Sequence, residues 1–98
     1  MKFYPLTVAA IYRETSDCVS VALNVPTELR AQFQFVAGQY LTFRTCLRGE
    51  EIRRSYSICS SPLDEELRVA IKKVPGGKFS TFANEQLVVG DSIDVLPP

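Results

Sequence analysis

Hydrophobic and polar residues alternate with a period of two along most of this chain, as in β-strands that bury one face. In the segment CVSVALNV (residues 18–25), the valines and the leucine share one face, and the serine, alanine and asparagine share the other. The segments whose spacing predicts strands are 7–13, 18–25, 40–47, the residues through Tyr56, 66–74 and 92–96. The pattern therefore predicts six strands.

Turn residues separate these segments. RGEE (48–51) supplies a glycine for a hairpin, while SSPLDEE (60–66) and VPGGK (74–78) are loops rich in proline, glycine and serine. Short strands divided in this way are typical of an antiparallel barrel or sandwich.

Two segments depart from the spacing of strands. FSTFANEQLVVGD (79–91) places two phenylalanines, an alanine and a leucine at helical spacing before Gly90, and PTELRAQF (26–33) predicts a short helical turn. We therefore predict one all-β domain over residues 1–98, a six-stranded antiparallel Greek-key barrel with one short helix before the last strand.

Composition narrows the classes of function. The chain has 98 residues, 46% of them hydrophobic, with eleven basic and eleven acidic side chains. This balance gives no reason to expect nucleic acid or an anionic membrane as a partner. No apolar run approaches the roughly 20 residues that span a bilayer, and the first residues lack the pattern of a signal peptide. The expected location is the cytoplasm.

The absence of histidine excludes a Ser-His-Asp triad, a Cys-His pair and a histidine metal ligand within this chain. The three cysteines, Cys18, Cys46 and Cys59, form no C-x-x-C pair, so neither a zinc site nor an iron–sulfur cluster is expected. We expect them to be small buried hydrophobic residues. Redox chemistry would have to come from a cofactor.

The segment RRSYSICSSP (53–62) places charge, an aromatic ring and hydroxyls inside a predicted strand. On a strand, Arg54 and Tyr56 point to one side and Ser57 to the other. A flat phosphorylated ligand could stack on Tyr56 and direct its phosphate toward Arg54. The alternative interpretation is an exposed edge strand with a solvated face.

The segment GGKFS (76–80) leads into the predicted helix. Its glycines allow close approach of the backbone, and Lys78 and Ser80 add polarity beside the free N–H groups of a helix start. These features favour an anion site. Taken alone, the segment could equally be a tight turn with a helix cap.

The two motifs in this order, on an all-β chain, resemble the flavin-binding domain of the ferredoxin–NADP reductase superfamily. FVAGQYLTFR (35–44) resembles that family's phenylalanine-x-proline-glycine-glutamine segment, with Ala37 in place of the proline. GEEIRRSYSICSSP and VAIKKVPGGKFSTFANEQL are most similar to the reductase components of phenylacetyl-CoA ring oxygenases, which are iron–sulfur flavoproteins. The resemblance runs nearly from end to end.

The resemblance implies FAD as the cofactor and assigns roles to individual residues. Arg54 would pair with the pyrophosphate, Tyr56 would stack on the isoalloxazine, and Ser57 would hydrogen-bond near the reactive flavin nitrogen. Arg53 matches no fixed motif position and is interpreted as a solvated charge. The remaining implied contacts come from the backbone of Ala70, Ile71 and Lys72, along the ribityl and phosphate region, and from Gly77, Lys78 and Ser80, over the pyrophosphate.

The resemblance also implies parts that this sequence lacks. Such reductases carry an NAD(P)H-binding domain, and those that serve oxygenases add a [2Fe–2S] domain, whereas this chain has neither G-x-G-x-x-G nor a cysteine cluster. The expectation is therefore a fragment, inactive alone, of a reductase that feeds electrons to an oxygenase component. The residues alone leave open an FMN- or lumazine-binding barrel and a non-catalytic interaction barrel.

Overall fold

The computed structural model describes residues 2–98 and confirms the predicted elements. An eight-residue helix precedes the last strand, and a 3-10 turn lies in the segment predicted to be a helical turn. The elements are β1 (Tyr4–Thr15), β2 (Cys18–Asn24), the 3-10 turn (Thr27–Leu29), β3 (Tyr40–Leu47), β4 (Glu50–Ser57), β5 (Leu67–Lys72), α1 (Lys78–Glu85) and β6 (Ser92–Leu96).

The strands form one antiparallel sheet in the order β4-β3-β6-β1-β2-β5. The last strand of the chain lies between β1 and β3, as the predicted Greek-key barrel requires. The edge strands β4 and β5 meet just beyond the end of β4, where Ile58 bridges Val69 and the N–H of Cys59 donates to the carbonyl of Arg68 at 2.8 Å. We call the gap between β4 and β5 the seam. Within residues 2–98, β4 and β5 are joined by this single bridge and not by a ladder of several residue pairs.

The alternating residues of the strands fill the barrel interior. Leu41, Val69 and Val95 are fully buried, and the largest buried side chains are Phe43 from β3 and Phe79 from α1. Full burial of such a side chain contributes on the order of 1.5–3 kcal/mol. Because Phe79 enters this core, α1 is fixed against the barrel at the seam.

The expectation that the cysteines are buried is wrong, because none of the three is buried. Cys46 and Cys59 are exposed, and Cys18 is partly exposed. Cys46 shares the outward face of β3 with polar neighbours, and Cys59 directly follows the buried Ile58, so period-two spacing turns both thiols outward. Strand position outweighed the general tendency of cysteine to be buried.

Within residues 2–98, the helical segments are too short to cross a bilayer.

Candidate functional site

Arg54 and Tyr56 lie on the side of β4 that faces the barrel interior. Ile52 and Ile58, two residues before and after them, are buried, and Arg54 is the cross-strand partner of the buried Phe43. Directly opposed residues of an antiparallel pair project to the same face. An arginine and a phenol therefore project toward the seam, on the face of β4 that also carries the buried Ile52.

Tyr56 is half-buried and belongs to an aromatic cluster. Its ring centroid lies 6.1 Å from that of Phe43 and 5.7 Å from that of Phe79. Burial raises the pKa of the Tyr56 phenol above 10.0, although the positive charge of Arg54 partly opposes this shift. The ring is thus held neutral by packing on β3 and α1, and it offers its remaining surface for stacking.

The two adjacent arginines of the motif differ in their surroundings. Arg53 lies on the outer face, where its Nε donates to Glu51 at 3.2 Å and its guanidinium lies 5.2 Å from the centre of the Phe3 ring. Arg54 is exposed, and its Nη1 donates to the backbone carbonyl of Arg53 at 2.7 Å. Among residues 2–98 no carboxylate pairs with Arg54, so its charge is available to an anion.

Helix α1 starts without a side-chain cap. Gly77 occupies the N-cap position, and the N–H of Thr81 donates to its carbonyl at 3.0 Å. The preceding N–H groups, of Lys78, Phe79 and Ser80, have no acceptor within the helix. Because Phe79 packs on Tyr56, the start of α1 lies beside β4, and these N–H groups form the positive end of the helix dipole there.

The Ser80 hydroxyl has structural partners. It is buried, it accepts the N–H of Val74 at 3.2 Å, and it donates to the carbonyl of Gly77 at 3.4 Å. A Cβ at Gly77 would lie 2.4 Å from Ser80 Oγ and 2.5 Å from Val74 Cγ2. The hydroxyl therefore fixes the loop, and its predicted contact with pyrophosphate stays a prediction, as does that of Lys78, which forms an ion pair with Glu50.

The predicted residues of β5 lie across the seam from the end of β4. Because Ile58 bridges Val69 in antiparallel fashion, Ser57 lies beside Ala70. Ala70 and Lys72 are exposed, whereas Ile71 is part of the core. The seam thus brings together the three groups of predicted residues, from β4, β5 and the start of α1.

Two cavities lie outside this group of residues. One of about 710 Å³ is lined by residues near both ends of the described chain and by Tyr40, which is paired with Ser57. The other, of about 560 Å³, lies beside the loop that contains Asp64. Neither is lined by Arg54 or Tyr56, and we place the site at the seam because charge, ring and helix N–H groups converge there.

Within residues 2–98 no cluster of metal-ligating side chains is present.

Sequence reasoning missed some residues that shape the site. Glu50 pairs with Lys78 at the start of α1. Arg13 and Asn84 hold the other end of that helix, with their side chains 3.0 Å apart. The spacing of Ser80 and Asn84 is helical, which places both on one face of α1. Nothing in the sequence indicated that Arg13, 71 positions earlier, would contact Asn84.

Comparison with known proteins identifies the family of this chain. Residues 5–98 match the model of the oxidoreductase FAD-binding domain family. The chain is 43% identical over 96 residues to one of the subunits of the 1,2-phenylacetyl-CoA epoxidase of Escherichia coli (strain K12), covering 98% of this chain and 27% of that protein. It is 38% identical over 95 residues to the ferredoxin reductase component of 3-ketosteroid-9-alpha-monooxygenase of Rhodococcus rhodochrous, covering 95% of this chain and 27% of that protein. The chain thus spans about a quarter of the length of these relatives.

Solved structures share the fold. A ferredoxin NADP+ reductase from Neisseria gonorrhoeae with bound FAD and NADP aligns with a TM-score of 0.80 at 21% identity, over 97% of this chain and 37% of that one. A flavohemoglobin from Malassezia yamatoensis with bound FAD and heme aligns with a TM-score of 0.81 at 22% identity, over 100% of this chain and 25% of that one. The match to the family model over residues 5–98 confirms the resemblance, and this chain belongs to the FAD-binding domain family of oxidoreductases.

Proposed function

We propose that this chain holds FAD along the seam, as the flavin module of an NAD(P)H-dependent reductase that supplies electrons to an oxygenase. The observation that carries the proposal is the placement of Arg54 and Tyr56 on the interior face of β4, beside the uncapped start of α1. A flavin requires a ring surface for stacking, which Tyr56 offers. Its phosphates require positive charge and N–H donors, which Arg54 and the start of α1 offer.

Each residue has a task that its surroundings suit. Tyr56 stacks on the isoalloxazine, since its own packing on Phe43 and Phe79 leaves the ring pre-positioned. Arg54 and the first N–H groups of α1 neutralise the pyrophosphate. Ser57, at the end of β4, offers a hydroxyl to the edge of the flavin. When bound, FAD supplies two-electron uptake and one-electron release, chemistry that the side chains of this chain do not provide.

The physiological role rests on the relatives. Two of the proteins most similar in sequence are named as part of an epoxidase and as the ferredoxin reductase component of a monooxygenase. We propose an oxygenase of phenylacetyl-CoA degradation as the partner, with the NAD(P)H and [2Fe–2S] sites in parts of the protein beyond these 98 residues. We also propose a cytoplasmic location, which the exposed free thiols of Cys46 and Cys59 support.

A titration with FAD and then FMN, followed by flavin fluorescence, tests the cofactor assignment. The adjacent arginines give a matched pair, because Arg54 faces the seam and Arg53 the outer surface. Arg54→Ala should weaken FAD binding about tenfold, the cost of a charged hydrogen bond, whereas Arg53→Ala should leave it nearly unchanged. Absence of saturable quenching, or equal losses in the two variants, would contradict the proposed site.

The electron-transfer role needs the longer natural protein. Reduction of its flavin by NADH and by NADPH, followed by addition of a phenylacetyl-CoA oxygenase component, should show product formation that depends on the reductase. A reductase that takes electrons from neither nucleotide would contradict the proposal while leaving flavin binding intact.

A further inference from the structure

Asn84, near the end of α1, is buried, and both its amide nitrogen and its amide oxygen are bonded. Its Nδ2 donates to the carbonyl of Ile71 at 3.0 Å and to that of Ser80 at 2.9 Å. Its Oδ1 accepts from Nη1 of Arg13 at 3.0 Å, and its backbone carbonyl accepts from Nη2 of the same arginine at 2.6 Å. One asparagine therefore joins α1 to β5 and, through Arg13, to β1.

Arg13 hydrogen-bonds α1 at its C-terminal end, where backbone carbonyl groups lack partners within the helix. The carbonyl of Asn84 belongs to the last turn, whose carbonyl groups have no helical N–H to accept. The guanidinium satisfies this group and places a positive charge at the negative end of the helix dipole. Because α1 has only eight residues, it depends on tertiary contacts of this kind for its position.

A continuous set of hydrogen bonds runs from Arg13 to the anion-binding end of the helix. Asn84 bonds the Ser80 carbonyl, and the Ser80 hydroxyl accepts the N–H of Val74 and donates to the carbonyl of Gly77. The helix is about 12 Å long, so a tilt at its last turn displaces its first turn. Such a tilt would turn the free N–H groups of the first turn away from the position proposed for the phosphates.

We propose that Arg13 and Asn84 form a clamp whose function is to hold the start of α1 in the orientation that binds the pyrophosphate of FAD. Both are positioning residues, and Arg13 acts from a strand that carries none of the predicted cofactor-binding residues. This inference rests on the proposed function, because it assigns the pyrophosphate to the start of α1.

Titration of the wild-type chain and of Arg13→Gln with FAD and with riboflavin tests the clamp. Riboflavin carries the flavin ring without a phosphate, so it reports on the ring site alone. Arg13→Gln should weaken FAD binding about tenfold and riboflavin binding less than about twofold. Arg30→Gln, which changes an exposed arginine directly after the 3-10 turn, is the control and should leave both affinities unchanged. Equal losses for FAD and riboflavin would mean general loosening of the fold and would overturn the proposal.

A second measurement works without flavin. Inorganic pyrophosphate should shift the amide resonances of Lys78, Phe79 and Ser80 saturably in the wild-type chain, more weakly in Arg13→Gln, and to an intermediate degree in Arg13→Lys. Equal pyrophosphate affinity in the wild-type chain and Arg13→Gln, or no shifts in the wild-type chain, would overturn the clamp. Pyrophosphate binding without any FAD binding would contradict the proposed function and leave the clamp standing.

Discussion

The rings of Tyr56 and Phe79 lie with their centroids 5.7 Å apart and their planes inclined by 31°. This contact joins the edge strand β4 to helix α1. Phe79 is fully buried and directly follows Lys78, the first residue of the helix. This aromatic pair therefore links the surface proposed for stacking to the N–H groups proposed for phosphate binding. Phe43 supports both rings, with its centroid 6.1 Å from that of Tyr56 and 5.8 Å from that of Phe79.

The stacking role of Tyr56 depends on its ring rather than on its hydroxyl. Tyr56→Phe should keep flavin affinity within about twofold, whereas Tyr56→Ala should lower it about tenfold, because an aromatic pair contributes about 1 kcal/mol beyond buried area and the loss of area adds to this. Fluorescence titration with FAD measures both. Arg53→Ala, which alters the outer face of the same strand, is the control. If Arg53→Ala lowered flavin affinity as much as Tyr56→Ala, the assignment of Tyr56 to the stacking face would be contradicted.

The raised pKa of the Tyr56 phenol predicts how stability changes at high pH. Well below pH 10.0, the ordinary pKa of the phenol, Tyr56 is protonated in both the folded and the unfolded chain, so it contributes no pH dependence there. As the pH rises above that value, the unfolded chain loses the proton first, and the free energy of unfolding falls until the folded phenol also ionises. Urea unfolding between about pH 9 and pH 11 should therefore show a shallower decline for Tyr56→Phe than for the wild-type chain.

A Tyr56→Phe chain whose free energy of unfolding fell as steeply with pH as that of the wild-type chain would show that burial of the Tyr56 phenol does not shape this profile.

Gly77 is required by the space around it. A methyl group there would lie 2.4 Å from Ser80 Oγ and 2.5 Å from Val74 Cγ2, so Gly77→Ala should lower the free energy of unfolding by about 1–3 kcal/mol. The same substitution in a Ser80→Ala background should cost less, because one of the two clashing atoms is gone. Denaturant unfolding of the four chains gives this double-mutant cycle. Strict additivity would show that the Ser80 hydroxyl does not crowd Gly77.

The sequence allowed the strands, the helix and the common face of Arg54 and Tyr56 to be predicted, since these follow from spacing within a segment. It did not show that Ser20 and Ala22, on the polar face of β2, would be as buried as the core face. Side chains of the flanking strands cover this face. Tyr12 of β1 is paired with Ser20, Arg68 of β5 is paired with Ala22, and the Arg68 guanidinium lies 5.2 Å from the centre of the Tyr12 ring. Burial of this kind depends on strand order, which the spacing within a segment does not contain.

The open seam and the clamp were beyond prediction for a related reason. Which strands form the edges of the sheet depends on pairings between distant segments. Arg13 and Asn84 are separated by 71 positions, and no local pattern links them. The residues proposed to bind the cofactor could therefore be selected from local motifs, whereas the residues proposed to position them depend on the fold.

The outward orientation of two thiols gives a final prediction. Cys46 and Cys59 are exposed, while Cys18 is partly buried at the start of β2, with its Sγ 3.8 Å from the carbonyl of Val19. A thiol-reactive chromogenic reagent should label two cysteines of the folded chain rapidly and the third slowly, with full labelling after denaturation. Cys46→Ser and Cys59→Ser should each remove one rapid equivalent, and Cys18→Ser should remove the slow one. Rapid reaction of a single thiol in the folded chain would show that either Cys46 or Cys59 is buried rather than exposed.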